Sequence, residues 1–320
     1  MKQRHVTGLR ALLAFLSLAF SVCLNAAEET DSPLQPVRFQ QIRLRGFWQE
    51  QVKRLTEKWI PHCIRQMEPG GRGQELMNLV HTGTILKGGS IDARFTGCPW
   101  SDAYVYNTVE SICLALEIDP DGDQQLAAAQ STLRTKLKEW IPIILAAQCE
   151  DGYIHSFHIL NDHPRFSNIG WHEFYVQGYF IETGVAPYRM TGGQDRRLYD
   201  AARRCANQLC ESFGPQSDRG WFHGHAGMGY ALCRLARLVN VVEGAGSGDK
   251  YFELAKHLLD KRYEFPEHRS PYHQSHRPVP EMTDAVGHAV RGTYFYTAMT
   301  DLAMLTGDEA YRAAVDKIWD

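Results

Sequence analysis

The chain has eight cysteines but no Cys-x-x-Cys pair, so its spacing encodes neither a zinc ribbon nor a thioredoxin-like redox site. It also lacks an excess of either charge: 34 basic against 37 acidic residues leave a net −3, which offers nothing to nucleic acid or an anionic membrane. A neutral ligand fits that balance. No Ser/Gly linker or block of like charge divides the chain, and no sustained period-2 alternation competes with the helical patterns. Nor is any apolar stretch long enough for a bilayer: the run from Ala11 to Cys23 falls short of the ~20 residues a spanning helix needs.

That run follows Lys2, Arg4 and Arg10 and precedes Leu-Asn-Ala-Ala-Glu-Glu, the pattern of a secretory signal peptide cleaved near Ala26 or Ala27. Val22 stands where a lipoprotein signal would place a small residue before Cys23; a retained membrane anchor is the alternative. The expected product is periplasmic or secreted and free of the membrane after cleavage, with a signal peptide over 1–27, a lead-in segment over 28–44 and one domain over 45–320. Export permits disulfides, yet the spacing of Cys63, Cys98, Cys113, Cys149, Cys205, Cys210 and Cys233 names no pair. Several sit on apolar helical stripes, where an unpaired cysteine acts as a small hydrophobe.

What the chain has is a repeat. His172 in GWHEFYVQGYF, His225 in WFHGHAGMGYALCRL and His288 in AVGHAVRGTYFYTAM each open an apolar helical segment that ends in a turn 18 or 19 residues later. A second helix follows each turn and carries an aromatic and a small residue in its first half, as Tyr199 with Ala202, Tyr251 with Ala255 and Tyr311 with Ala314. An earlier copy starts at Asp102. Unit lengths of 53 to 70 residues, read from positions 102, 172, 225 and 288, indicate an array of α-hairpins. The pairs are expected over 102–118 with 123–147, 172–190 with 195–212, 226–242 with 248–263, and 288–305 with 308–319. They follow an amphipathic helix over 47–67 perturbed at Pro61.

First helices such as TYFYTAMTDLAML are apolar nearly all round, and second helices such as KYFELAKHLLDKR are more charged. This pattern suits an inner and an outer ring. The expected fold is all-α, an (α/α)6-type toroid of helical hairpins that is incomplete in this chain, because six pairs of roughly 60 residues exceed its length. Turns within pairs are short, whereas returns between pairs span 148–171, 213–224 and 264–287. Long loops of this kind tend to carry function, and all three emerge on the rim that bears the histidines.

His172, His225 and His288 are therefore the leading candidates for a shared binding site. A helix dipole would keep such imidazoles neutral, able to donate and accept hydrogen bonds; each could equally cap its own helix. Trp171, Trp100 and Trp221 stand beside these positions, and Tyr153, Phe157 and Phe166 lie in the 148–171 loop; aromatic faces suit sugar rings but also plug cores. Asp102 and Glu173 occupy first turns, where a carboxylate is favoured with or without a function. His268, His273 and His276 share a proline-rich loop whose spacing carries little metal specificity.

The blocks GFW, FTGCPWSDAYVYNTVES, AAQCEDGYIHSFH, WHEFYVQGYFIETGVAPYRMTG, GHAGMGYALCRLARL, YFELAKHLLDKR, YHQSHRPV and AVGHAVRGTYFYTAMTDLAMLTGDEAY resemble, in order, those of the β-L-arabinofuranosidase-type glycoside hydrolases, family 127. The resemblance covers nearly all of 45–320. It implies an (α/α)6 barrel followed by β-sandwich domains, and a retaining hydrolase of glycans with a zinc-bound cysteine nucleophile and a glutamate acid/base. In the family those residues follow the GHAVR block, so the zinc ligands are expected beyond Asp320 and no catalytic or metal-binding residue is assigned here. The resemblance assigns His172, His225 and His288 to holding the sugar, with His276 a weaker candidate. Asp102 and Trp171 complete the candidate set. Departures fall at Tyr179, where the family often has histidine, at Met228 to Tyr230, where it has an acidic pair, and at Asn107, where it has lysine. Two rivals remain: a sugar epimerase or isomerase using histidine acid and base, and a carbohydrate-binding protein without catalysis.

Overall fold

The computed structural model describes residues 37–92 and 94–320; the expected signal peptide and the first part of the lead-in lie outside the described residues. These contain no strand, and no helix among them is long and apolar enough to cross a membrane. Helix α1 (Phe47–Arg54) passes through a π turn at Leu55–Trp59 into α2 (Ile60–Met67). The widened turn precedes Pro61, whose ring crowds the carbonyl four residues back and which has no N–H to offer it. Then follow α3 (Glu75–Leu86), α4 (Asp102–Leu116), α5 (Gln124–Ala146), the short α6 (Ser156–Leu160), α7 (Glu173–Met190), α8 (Arg197–Phe213), α9 (Gly227–Glu243), α10 (Asp249–Lys261), α11 (Ala289–Thr306) and α12 (Glu309–Trp319).

Four hairpins, α4/α5, α7/α8, α9/α10 and α11/α12, reproduce the repeat. The first helices pack side by side in chain order, and each second helix lies against its own partner. Fourteen of the eighteen residues of α7 are buried, against one apolar stripe of α8, which makes α7 an inner helix and α8 an outer one. Outer helices α5 and α12 start alike: Asp123 accepts from the backbone N–H groups of Gln125 and Leu126, and Asp308 from those of Ala310 and Tyr311.

The aromatic of outer helices α8, α10 and α12 is a buried tyrosine whose hydroxyl reaches a neighbouring repeat. Tyr251 donates to Asn207 at 2.8 Å, Tyr311 to Asp260 at 2.8 Å, and Tyr199 to Glu243 at 2.9 Å. Inside the ring, Arg234 of α9 donates to Glu110 of α4 at 2.7 Å and to Glu182 of α7 at 2.8 Å. Three inner helices are thus joined by one charged group.

Gly184 marks the closest approach of α7 to α8. A Cβ there would stand 2.3 Å from the Ala202 Cβ and 2.8 Å from the Leu198 carbonyl oxygen, inside any tolerable contact. Gly184→Ala is expected to destabilise the fold by ~1–3 kcal/mol, the usual cost of overpacking, and to lower the urea unfolding midpoint; an unchanged midpoint would contradict this packing.

Candidate functional site

The three long returns are tied together at the starts of α7, α9 and α11. Arg291 Nη1 donates to the Gly224 carbonyl at 2.7 Å, Arg262 Nη2 donates to the carbonyls of Gly224 and His273, and Arg219 donates to the Arg165 carbonyl at 3.4 Å. Gly287 has φ +84°, and a Cβ there would meet the Pro271 carbonyl oxygen at 1.9 Å. Only glycine lets the loop pass so close before His288.

His172, the residue before α7, adopts a left-handed conformation with φ 61°, which is uncommon for a side chain with a Cβ. Its Nδ1 contacts the Gly170 carbonyl at 2.7 Å; a carbonyl only accepts, so Nδ1 carries the hydrogen and Nε2 is left as an acceptor. His225 is 6% exposed, and its Nδ1 accepts from the Gly227 N–H at 3.2 Å, leaving Nε2–H as a donor. His288 is exposed and does cap its own helix, its Nδ1 accepting from the Arg291 N–H at 3.4 Å. In its neutral form it too presents Nε2–H. The trio offers one acceptor and two donors, each set by a backbone partner.

These imidazoles share one neighbourhood. Burial and then Arg291 push His225 down to about 3, and His172 and His288 both lie near enough to add to that shift. Burial, followed by Arg291, also lowers His172. The sequence suggested the helix dipole as the cause of neutrality; the structure assigns it to desolvation and a neighbouring guanidinium. Tyr175 bridges the pair, its ring 5.9 Å from His172 and 4.5 Å from His225. Behind it the Tyr179 and Tyr294 hydroxyls meet at 2.5 Å, and the Tyr179 ring packs edge-on to Tyr175 at 4.7 Å. Tyr294 stands between Tyr179 and Tyr230, with its ring 6.0 Å from each.

The other candidates are placed less simply. Trp171 is half-buried and stacks on His163 at 4.3 Å, while Trp100 packs on His172 at 4.7 Å. Asp102 is fully buried and accepts from the N–H and hydroxyl of Ser156. Burial raises it to about 6, and its place is under the loop, not on a ligand-facing wall. No ring or hydrogen-bond contact among the described residues joins His276 to the three histidines. His273 takes that part, with Nδ1 3.2 Å from Arg291 Nη1; burial, then Arg291, pushes it down to about 4.

Sequence reasoning missed the polar layer beneath. Arg262 is 1% exposed, donates to His223 Nε2 at 2.9 Å and lies over the rings of Phe222 and Phe295. Burial and then Arg291 lower it to about 9, so it remains a cation at neutral pH. Lys-Arg at the end of an outer helix reads as surface, and no local signal distinguishes it.

Among the described residues, His155, His158 and Glu173 are the only three metal-type side chains whose ligand atoms gather, within 4.8 Å of one another. His158 sits in the middle, with Nδ1 toward His155 and Nε2 toward Glu173. These two nitrogens point to different sides of the ring, so no single ion reaches all three residues at ~2.0–2.2 Å. Burial raises the Cys63, Cys113, Cys149, Cys205, Cys210 and Cys233 thiols, which suits packing and not metal ligation. These residues do not fit a zinc centre.

The family model for the β-L-arabinofuranosidase GH127 catalytic domain matches residues 41–320. A non-reducing end β-L-arabinofuranosidase of Bifidobacterium longum subsp. longum is 27% identical over 85% of this chain and 44% of its own. A solved GH127 β-arabinofuranosidase superposes with a TM-score of 0.73 at 30% identity, over 90% of this chain and 43% of that one. A GH127 β-L-arabinofuranosidase from Geobacillus stearothermophilus T6 gives 0.71 at 27% identity, over 87% and 44%. The chain thus spans less than half the length of these relatives, and its helical hairpins are those of their (α/α)6 toroid. The chain belongs to the GH127 β-L-arabinofuranosidase family, of whose catalytic domain it carries residues 41–320 as the matching part.

Proposed function

We propose that the protein of which this chain is part is an exported glycoside hydrolase that releases L-arabinofuranose from the non-reducing end of plant-type or glycoprotein glycans. This chain supplies the wall that holds the sugar. The observation that carries the reading is the placement of His172 and His225 on one Tyr175 ring and of His288 at the helix start whose Arg291 reaches the Gly224 carbonyl, with one acceptor and two donors fixed by backbone partners. Such a set matches neighbouring hydroxyls, which both donate and accept. Trp100 beside His172 supplies an aromatic face for the apolar side of the ring. The likeness to relatives named as arabinofuranosidases points the same way.

Zinc, and the cysteine and glutamate of the chemistry, are proposed for the whole protein with positions after Asp320. No residue described here is given a catalytic step.

The full-length protein is expected to hydrolyse aryl β-L-arabinofuranosides, with His225→Ala weakening sugar binding by roughly ten-fold, the worth of one buried hydrogen bond. Absence of hydrolysis across aryl pentosides and hexosides would sink the enzyme reading.

The pH dependence has a defined sign. His225 is neutral above about 3, so its contribution is present throughout the neutral range and is lost only as pH falls toward that value. The affinity difference between wild type and His225→Ala should therefore stay constant from about pH 8 to 5. A step near the ordinary histidine range would show that the ring titrates freely.

Export is tested by the N-terminus of the mature protein, expected just after Ala26 or Ala27; an intact Met1 on exported material would refute cleavage there.

A further inference from the structure

A row of buried polar groups runs beside the pocket wall: the Pro99 carbonyl, His155, His158, the Glu173 carboxylate and the Tyr153 hydroxyl. Hydrogens can be placed along it from chemistry alone. The Pro99 carbonyl only accepts, so its 2.9 Å contact with His155 Nε2 puts a hydrogen on that nitrogen. His155 is fully buried and held far below the usual histidine range, chiefly by desolvation, so it is neutral and its Nδ1 is bare. The 2.5 Å contact between the Nδ1 atoms of His155 and His158 then requires the hydrogen on His158.

This leaves His158 Nε2 at 3.2 Å from Glu173 Oε2, off the line of a hydrogen bond but within ion-pair reach. A bare nitrogen there would set its lone pair against a carboxylate oxygen, with side chains only 1% and 2% exposed and no water to intervene. Glu173 is already occupied as an acceptor. Its Oε1 takes the Tyr153 hydroxyl at 2.5 Å and its Oε2 the Phe166 N–H at 2.7 Å. The row needs one more proton, and Nε2 is the favoured site, because the hydrogen bonds donated by Tyr153 and Phe166 stabilise Glu173 as a carboxylate.

We propose that His158 is a buried imidazolium paired with the Glu173 carboxylate, and that this pair, with His155, positions Trp100, Trp171 and His172 in the pocket wall. Each wall residue is next in the chain to a member of the row or to another wall residue: Pro99 precedes Trp100, and Trp171 and His172 run into Glu173. The Trp171 ring also lies 5.3 Å from His158. No other cation serves Glu173 among the described residues. Arg165 lies over the Tyr153 ring but is paired with Asp151, His163 packs edge-on to His158 at 6.0 Å, His172 adds only a weak repulsion at His155, and Asp102 is held by Ser156. The effect on the pocket rests on the sugar-binding reading above; the ion pair does not.

The test uses the full-length protein. Histidine-selective nitrogen NMR at neutral pH should show one imidazole protonated on both nitrogens, absent from His158→Phe and converted to a neutral ring in Glu173→Gln. A neutral His158 in the wild type overturns the ion pair. Crystal structures of His158→Phe, or of His158→Gln should the former not fold, should show Trp171 and His172 displaced; a wall that superposes on the wild type overturns the positioning role. Kinetically, the same variant should raise KM roughly ten-fold or more, as misplaced binding groups do, with kcat much less affected; an unchanged KM also counts against positioning. Should the wild type cleave no arabinofuranoside, the sugar reading fails alone, because NMR and crystallography need no sugar.

Discussion

A carboxylate shut away from water must be surrounded by donors, and at Glu173 this requirement organises the whole approach to the pocket. The group is 4% exposed and draws on a hydroxyl from residue 153, an amide from 166 and an imidazole from 158. The returning segment is fastened to the first turn of α7 at three points. Removing one partner of a buried pair of this kind costs about 3–5 kcal/mol. That is enough to hold the His172 backbone in its left-handed conformation, which costs about 1–3 kcal/mol for a non-glycine residue. The strain and the anchor are adjacent in the chain, and the site residue is the one that bears the strain.

The ring solves the same problem on a larger scale. Inner helices such as α7 are buried nearly all round, so a polar group they carry is best satisfied by a partner on another inner helix. Arg234 finds such partners in Glu110 and Glu182, and Tyr179 and Tyr294 find them in each other. Outer helices α8, α10 and α12 keep charged surfaces and connect repeats through single tyrosine hydroxyls. A polar residue in the wall of the ring thus fixes the rotation of its helix, and the rotation of α7 and α9 decides where Tyr175 and His225 face.

Periodicity made the four hairpins legible because their helices are long and bounded by turns, and the bounds of these eight helices fall within two residues of the spans read from pattern, whereas the short α6 inside the 148–171 return was not read. Helix α3 was not legible: ELMNLVHTGTIL mixes glycine, threonine and asparagine with apolar residues and has weak amphipathic contrast. The three leading histidines were proposed because they recur in phase. Asp102 shared that phase but not the role, because a first-turn carboxylate looks the same whether it faces a ligand or a buried Ser156. His276 was chosen from a motif, whereas the 3₁₀ turn at Pro271–His273 puts His273 beside Arg291 instead. The His155–His158–Glu173 row spans 56 to 74 positions from its Pro99 end, and no local pattern can announce contacts over that distance.

Arg262 and Arg291 complete the physical picture. Both sit among histidines, and neither is paired with a carboxylate among the described residues; their partners are carbonyls, imidazoles and aromatic faces. Two guanidinium charges in a desolvated site make any further positive charge expensive, and the imidazoles at 223, 225 and 273 accordingly lie below the ordinary histidine range. A neutral imidazole has one donor and one acceptor, and with one nitrogen already committed to the backbone only a single role is left to face the cavity. The cations therefore act on the pocket indirectly, by suppressing protonation and so fixing which nitrogens donate and which accept. His158 escapes this rule because it lies beside Glu173, a buried carboxylate that can balance it.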